Sequence, residues 1–293
     1  MSRPDARGPE DDVPADLQWR GAEPPSLPPP PLRLKAVGYL RLAAAVVVTA
    51  VLLVFYLLFR AIERVWPAFR WRETVQRIWA RVVARLAGLK VRRVGVPMRH
   101  GGALVANHAS WADIFVLVGA ARMTFVSKAE VRAWPGVGFI AALCDTVFIE
   151  RRRSAAKAQE AELKARITRG ERLVFFPEGT STDGLRVLPF RSTLFSALLT
   201  PDLREAVWVQ PVSVVYRPDP RSGLPAEFYG WWGDMDFGGH VWAVLTRSFG
   251  GSAEVVFHPP VRAADFPDRK SLAAHCGAEV RRGLEDRLGP PPD

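Results

Sequence analysis

Ala103-Leu104-Val105-Ala106-Asn107-His108-Ala109-Ser110-Trp111-Ala112-Asp113-Ile114 changes character twice within one short stretch. The apolar run Ala103 to Ala106 reads as a buried strand, and an apolar helix begins at Ile114. The polar residues between them fall in a strand-to-helix loop, where α/β folds place ligands and catalytic groups. A five-residue separation across such a turn can bring the Asp113 carboxylate back to the His108 imidazole. Asp113 would then hold the Nδ1 proton and leave Nε2 free as a general base. The same residues also read as a plain helix start, with Ser110 or Asp113 as cap and His108 merely exposed.

Working outward, residues 89–288 alternate short β-branched runs with helical stretches. The strand candidates are 91–96, 102–106, 123–127, 145–149, 172–176, 207–216 and 253–258. The helix candidates are 111–120, 155–169, 192–199 and 270–288. This alternation predicts one α/β domain with a largely parallel or mixed sheet flanked by helices. Residues 289–293 are left as a tail.

Four further stretches could carry chemistry. In Leu173 to Gly184 an apolar strand ends at Pro177, and Glu178, Gly179, Thr180, Ser181 and Thr182 follow in a turn. Amides of a Gly-containing turn can form an anion nest, and the hydroxyls add donors. A plain β-turn is the alternative. Phe148-Ile149-Glu150-Arg151-Arg152-Arg153 places three arginines after an apolar strand, able to grip an anion bidentately or to form a solvated face. Leu188-Pro189-Phe190-Arg191 brings another cation shortly after the Glu178 turn. Val209-Gln210-Pro211-Val212 is a strand interrupted by proline, which implies an edge, a bulge or a simple strand entry.

The amino-terminal third is organised differently. Residues 1–36 hold nine of the 25 prolines and few large apolar side chains, and predict a disordered or polyproline-like tail. Leu42 to Phe59 contains no charged residue, and as a helix it is about 27 Å long. Arg41 and Arg60 bracket it, so 37–66 is expected to be a membrane helix that crosses or dips into a bilayer. An excess of arginine after the segment puts the rest of the chain on the cytoplasmic side. Residues 67–88 are expected to form an amphipathic interfacial helix, with Val75, Ile78, Trp79, Val82, Val83 and Leu86 on one face. Arg77, Arg81 and Arg85 form a basic stripe suited to anionic lipid.

The composition agrees. The 293 residues are 48% hydrophobic and 24% charged, enough to build a core and too apolar for wholesale disorder. A net charge of +10 favours an anionic partner. No nucleic-acid motif accompanies the charge, so nucleic acid is set aside. Cys144 and Cys276 are too few for a disulfide framework and fit no zinc spacing. His100, His240, His258 and His275 lack a neighbourhood like that of His108.

Taken together, order and spacing of these motifs resemble the glycerolipid acyltransferases of the bacterial lysophosphatidate acyltransferase type. That family carries Asn-His-x4-Asp, here Asn107, His108 and Asp113. It also carries Phe-Ile-x-Arg, here Phe148, Ile149 and Arg151, and Phe-Pro-Glu-Gly-Thr, here Phe176 to Thr180. A late strand with proline follows, here at Pro211. The resemblance spans about residues 90–260 and makes 89–288 the acyltransferase domain. It implies that His108 deprotonates the hydroxyl of a lysolipid, with Asp113 orienting His108. The alkoxide would take the acyl group from an acyl-carrier protein or acyl-CoA thioester. Asn107, Arg151, Glu178, Gly179, Thr180, Ser181 and Arg191 would bind the acceptor. No metal or cofactor is implied. The expected setting is the cell inner membrane, with 1-acyl-sn-glycerol-3-phosphate as acceptor and phosphatidate as product.

One departure points elsewhere. Where phosphatidate-making members usually carry Arg after Glu-Gly-Thr, this chain has Ser181. Glu178 to Phe195, and Trp231-Trp232-Gly233-Asp234-Met235-Asp236, also resemble the lyso-ornithine lipid acyltransferases. Their acceptor bears a carboxylate and an amine, and Asp234 and Asp236 could serve that amine. A catalytically silent lipid-binding module is the reading from another class.

Overall fold

The computed structural model describes residues 18–292 except 67–69, 134–137, 139–140, 143 and 150–155. Among these residues eight strands form one mixed sheet: β1 (Leu89–Val94), β2 (Gly102–Ala106), β3 (Thr124–Lys128), β4 (Val147–Ile149), β5 (Arg172–Phe175), β6 (Trp208–Arg217), β7 (Gly251–Phe257) and β8 (Val261–Arg262). Their order is β1-β7-β6-β2-β5-β3-β4, with β8 beside the first residues of β6. The pairings from β6 through β2, β5 and β3 to β4 are all parallel. Only β6 with β7 and β6 with β8 run antiparallel.

Side-chain alternation sorts the sheet into two faces. Leu104 and Ala106 of β2, Val174 of β5 and Val212, Val214 and Tyr216 of β6 enter one core. On that face lie α2 (Trp71–Leu86), α3 (Asp113–Ala120) and α6 (Phe237–Arg247). The intervening residues Ala103, Val105, Leu173 and Val209 enter the other core. There they meet α4 (Ala156–Thr168) and α7 (Arg269–Leu288), which starts at an Asp268–Ser271 capping box. The result is a layered α/β domain, as the sequence predicts.

Two elements differ from expectation. Ser192–Leu198 winds as a 3-10 helix, not an α-helix. Its buried residues Phe195 and Leu198 lie three apart, the spacing a 3-10 turn puts on one side. A single helical turn, α5 (Pro201–Arg204), follows. The helix α6 has no counterpart among the sequence candidates, although Asp236 caps it by accepting from Gly239 N–H.

The amino-terminal region is also more integrated than predicted. Residues 18–31, expected within a free tail, lie against the domain, and α1 (Leu32–Val65) begins five residues before the predicted 37. Arg41 of α1 donates to the carbonyls of Leu245 and Ser248, and Gly38 lies against Thr246 and Trp242. Near its other end Glu63 pairs with Arg72 at 2.7 Å, and Arg60 with Asp145 at 3.6 Å. Between them Trp79 of α2 donates to Thr49. Both ends of α1 thus touch the same domain. The outward side still exposes twelve large apolar side chains, Val47, Val54 and Leu58 among them. Such a stripe is too extensive for a face left in water.

Candidate active site

β2 and β5 are parallel neighbours, with Val105 opposite Phe175, so the loops that follow them emerge at the same edge. That brings Asn107-His108 beside Phe176 to Thr180. On the other side of β2, Ala106 pairs with Val212, but β6 continues five residues further. Asn107 fills the gap. Its Nδ2 donates to Val214 O at 2.9 Å and its Oδ1 accepts Val214 N–H at 2.7 Å. The buried amide imitates the missing strand residue. Both its polar atoms are therefore engaged by the sheet rather than turned to an acceptor.

His108 Nδ1 lies 2.6 Å from Asp113 Oδ2. Asp113 has 0% exposure, yet every side of its carboxylate is bonded. Oδ2 also accepts the N–H groups of Ala109 at 2.9 Å and Ser110 at 3.1 Å. Oδ1 accepts the Tyr216 hydroxyl at 2.7 Å. Four donors satisfy this buried carboxylate and fix its position. Burial, and then the neighbouring Asp113 charge, push the Tyr216 hydroxyl well above the ordinary tyrosine range, so it stays a donor. With Nδ1–H bound to Asp113, Nε2 is the acceptor on the ring edge. The His108 side chain is 24% exposed and stacks on Phe176, centroids 4.1 Å apart and planes 11° from parallel. Stacking fixes the ring plane while leaving its edge free. Ser110 does not cap the helix, whose N-cap position is Ala112 with no side-chain bond; its Oγ accepts Ala112 N–H within the loop.

Glu178 supports the loop from the other side. Its Oε1 accepts His108 N–H at 2.8 Å and its Oε2 accepts Leu188 N–H at 2.9 Å. At 1% exposure its pKa is pushed up to about 8 by burial, against the opposing pull of those two backbone donors. It braces the loops after β2 and β5 and does not face the cleft. Since the amides of residues 108–110 are already bonded to Glu178 and Asp113, donors for an oxyanion must come from elsewhere.

The turn after Glu178 is open on one side. Gly179 adopts φ +73°, and the guanidinium of Arg191 comes within 3.1 Å of where a Cβ would be. That guanidinium has no ion pair or hydrogen bond among the described residues. Thr180 Oγ1 accepts the N–H of Trp19 at 3.2 Å. Ser181 is nearly buried, and Asp183 beside it pairs with Arg186 at 3.0 Å. The segment around Trp19 is tied down repeatedly. Trp232 donates to Ala22 O, Arg20 pairs with Asp234, and Arg247 donates to Pro28 O. The Trp19 ring packs on Trp232 and under the Arg186 guanidinium.

The structure thus gathers His108, Asp113, Asn107, Glu178, Gly179, Thr180, Ser181 and Arg191 at one edge of the sheet. Arg151 lies outside the described residues. Asp236 is spent as a helix cap. Tyr216 and Trp19 are the members that sequence reasoning did not find; Phe176 was marked only as part of the Phe-Pro-Glu-Gly-Thr motif, without its stacking on His108. Tyr216 was visible only as the end of an apolar run, and the Trp19 contact spans 161 residues. His240, set aside from sequence, accepts from Trp111 Nε1 and lies 3.2 Å from Phe228 O. Burial lowers its pKa. Among the described residues no cluster of three or more His, Cys, Asp or Glu could hold a metal ion.

A layered α/β domain that presents a histidine-carboxylate pair beside a Pro-Glu-Gly-Thr turn defines an acyltransferase. Residues 88–215 match the family model described as Acyltransferase. Over 92% of its length the chain is 46% identical to the lyso-ornithine lipid O-acyltransferase of Rhodobacter capsulatus, covering 98% of that protein. The Brucella abortus enzyme of the same name is 37% identical over 85% of this chain and 94% of its own. The 1-acyl-sn-glycerol-3-phosphate acyltransferase of Neisseria meningitidis is 32% identical over 48% of this chain and 55% of its own. The crystal structure of the 1-acyl-sn-glycerophosphate acyltransferase PlsC from Thermotoga maritima shares the fold. Its TM-score is 0.57 at 23% identity, covering 87% of this chain and 95% of that one. The chain belongs to the lysolipid acyltransferase family, alongside the lyso-ornithine lipid O-acyltransferases.

Proposed function

We propose that this protein is a lyso-ornithine lipid O-acyltransferase, in preference to the phosphatidate-forming reading that the first motif match suggests. The observation that carries it is the extent of the likeness: relatives of that name align along nearly the whole chain, whereas the glycerol-phosphate relative aligns over about half. The turn agrees. Ser181 supplies no cation, and Arg186 is neutralised by Asp183. Arg191 beside Gly179 then suits a single carboxylate better than a phosphate monoester.

In this mechanism Nε2 of His108 takes the proton of the acceptor hydroxyl while Asp113 stabilises the imidazolium. The acceptor oxygen attacks the thioester carbonyl of acyl-carrier protein or acyl-CoA. The C–S bond breaks, and the His108 proton passes to the departing thiolate. A positioned base of this kind contributes about 10²–10⁴-fold.

The same reading places the enzyme on the cytoplasmic face of the inner membrane. Contacts at both ends of α1 support a helix lying along the bilayer surface with its apolar stripe inserted, rather than one crossing it.

The test offers lyso-ornithine lipid and lysophosphatidate side by side to membranes carrying the protein, with His108→Ala as blank. Transfer to lyso-ornithine lipid is expected. Transfer to lysophosphatidate alone would overturn the acceptor. Equal transfer by His108→Ala would overturn the mechanism and favour a binding module.

A further inference from the structure

The end of the sheet opposite His108 holds an open cavity of about 520 Å³. It lies at the starts of β3 and β5, between the first turns of α2 and the end of α3. β2 alone separates the two ends by about 16 Å, at ~3.3 Å per residue. The cavity is therefore distinct from the acyltransfer site. Eight arginines line it against three carboxylates, Glu73, Asp145 and Glu171.

Much of that charge is paired. Arg72 meets Asp145, Arg122 meets Glu73, and Arg166 meets Glu171. Arg77, Arg99 and Arg172 form no ion pair among the described residues. The Nε of Arg77 is sealed from solvent without a hydrogen-bond partner there. Arg172 gives one hydrogen bond to Met98 O at 2.9 Å. Burial lowers the pKa of both Arg77 and Arg172. Arg122 pushes each the same way, and Glu73 opposes at Arg172. Crowded guanidinium groups of this kind are relieved by an anion, and their planar forks match phosphate oxygens.

The surroundings identify the source of the anion. α2 follows directly on the apolar α1, and at that junction Trp66 and Trp71 are 60% and 54% exposed. Exposed tryptophans at the end of an apolar helix mark the headgroup level, and arginines clustered just there bind anionic lipid. We propose that this cavity is a second lipid site, which binds the phosphate of an anionic phospholipid headgroup and is separate from the acceptor site.

Binding of the full chain to vesicles of phosphatidylcholine, with and without phosphatidylglycerol, tests this. The wild type should favour phosphatidylglycerol vesicles at least about thirtyfold. The variant Arg99→Gln/Arg172→Gln should lose about fivefold of that preference per arginine. Arg99→Gln alone removes an exposed side chain and reports even where the double variant misfolds. Lys90→Gln/Arg92→Gln removes the same charge from exposed positions on β1 outside the cavity, and should lose far less. Equal losses in the two double variants would reduce the effect to diffuse attraction and overturn the site. Inorganic phosphate is the second arm. If millimolar phosphate abolishes the preference and raises the unfolding temperature as much as phosphatidylglycerol micelles do, the occupant is soluble phosphate and the lipid assignment fails.

Discussion

The two ends of the sheet hold charge in opposite ways. At the carboxyl end Asp113, Glu178 and Asp183 are buried, and each carboxyl group is bonded by donors from the loops there and, for Asp113, from Tyr216 of β6. At the amino end arginines outnumber carboxylates around an open cavity, and some have no partner among the described residues. A buried charge without partners costs several kcal/mol, so the first arrangement is a fixed frame built during folding. The second is completed by something that arrives from outside. The frame makes one group reactive, the ring edge of His108, by tying down everything near it.

The sharpest way to break the comparison is to remove that group. His108→Ala should lower acyl transfer by about 10²–10⁴-fold. Its cost in stability should not exceed that of one hydrogen bond to a charged group, about 1.5–3 kcal/mol, because Glu178 still holds the residue through its backbone N–H. Thioester-dependent transfer in reconstituted membranes reads the first effect and a thermal melt the second. A large loss of stability would mean that the ring belongs to the frame.

Tyr216→Phe deletes one of the four donors to Asp113 and nothing else. A hydrogen bond to a charged group is worth about 1.5–3 kcal/mol. Turnover should fall roughly tenfold with KM little changed, since the hydroxyl positions the dyad and touches no substrate. A rise in KM at constant kcat would assign Tyr216 to the acceptor groove instead.

Glu178→Gln tests the frame on the β5 side. Glutamine keeps the carbonyl acceptor but replaces the protonated oxygen, which can still accept, with an amide group whose N–H faces a backbone donor. The expected loss is about 1–3 kcal/mol. Its pH dependence has a definite sign. Glu178 is held at about 8, above its ordinary 4.5, so its folded form retains a proton that the unfolded form gives up. Its stabilisation is complete below about 4.5 and is lost as pH rises through about 8. The stability gap between wild type and Glu178→Gln should therefore narrow as pH approaches about 8. A gap that widens with pH would mean that Glu178 is ionised in the folded protein.

How much of this was legible in the sequence depends on distance along the chain. His108 and Asp113 are five residues apart, and a strand-loop-helix reading brings them together without any tertiary knowledge. Glu178 and Gly179 were legible as a turn, but only the parallel pairing of β2 and β5 sets that turn beside the histidine. Asn107 was assigned to the acceptor through the motif it shares with the family, and the motif says nothing of its partners in the sheet. Its use as a surrogate strand residue depends on β6 outrunning β2. Helix α6 was missed because paired glycines in its first turn masked its periodicity. The segment 18–31 was missed because proline-rich composition describes its flexibility in isolation and says nothing of the tryptophans it meets.

That segment gives the smallest effect and the finest test. The Trp19 N–H bonds Thr180, and its ring lies between Trp232 and Arg186, so the strap walls the turn that is proposed to receive the acceptor. It touches neither His108 nor Asp113. Trp19→Ala should therefore raise the KM for lyso-ornithine lipid a few-fold, leave kcat close to wild type, and leave the KM for the thioester donor unchanged. An aromatic contact of this sort contributes about 0.5–1.5 kcal/mol, which sets the size. If kcat falls and KM holds, the strap acts on the dyad through the Thr180–Thr182 turn, whose Thr182 N–H is bonded to His108 O. The frame would then extend to the amino terminus, and the boundary between the fixed and the open parts of this edge would run outside Trp19 rather than inside it.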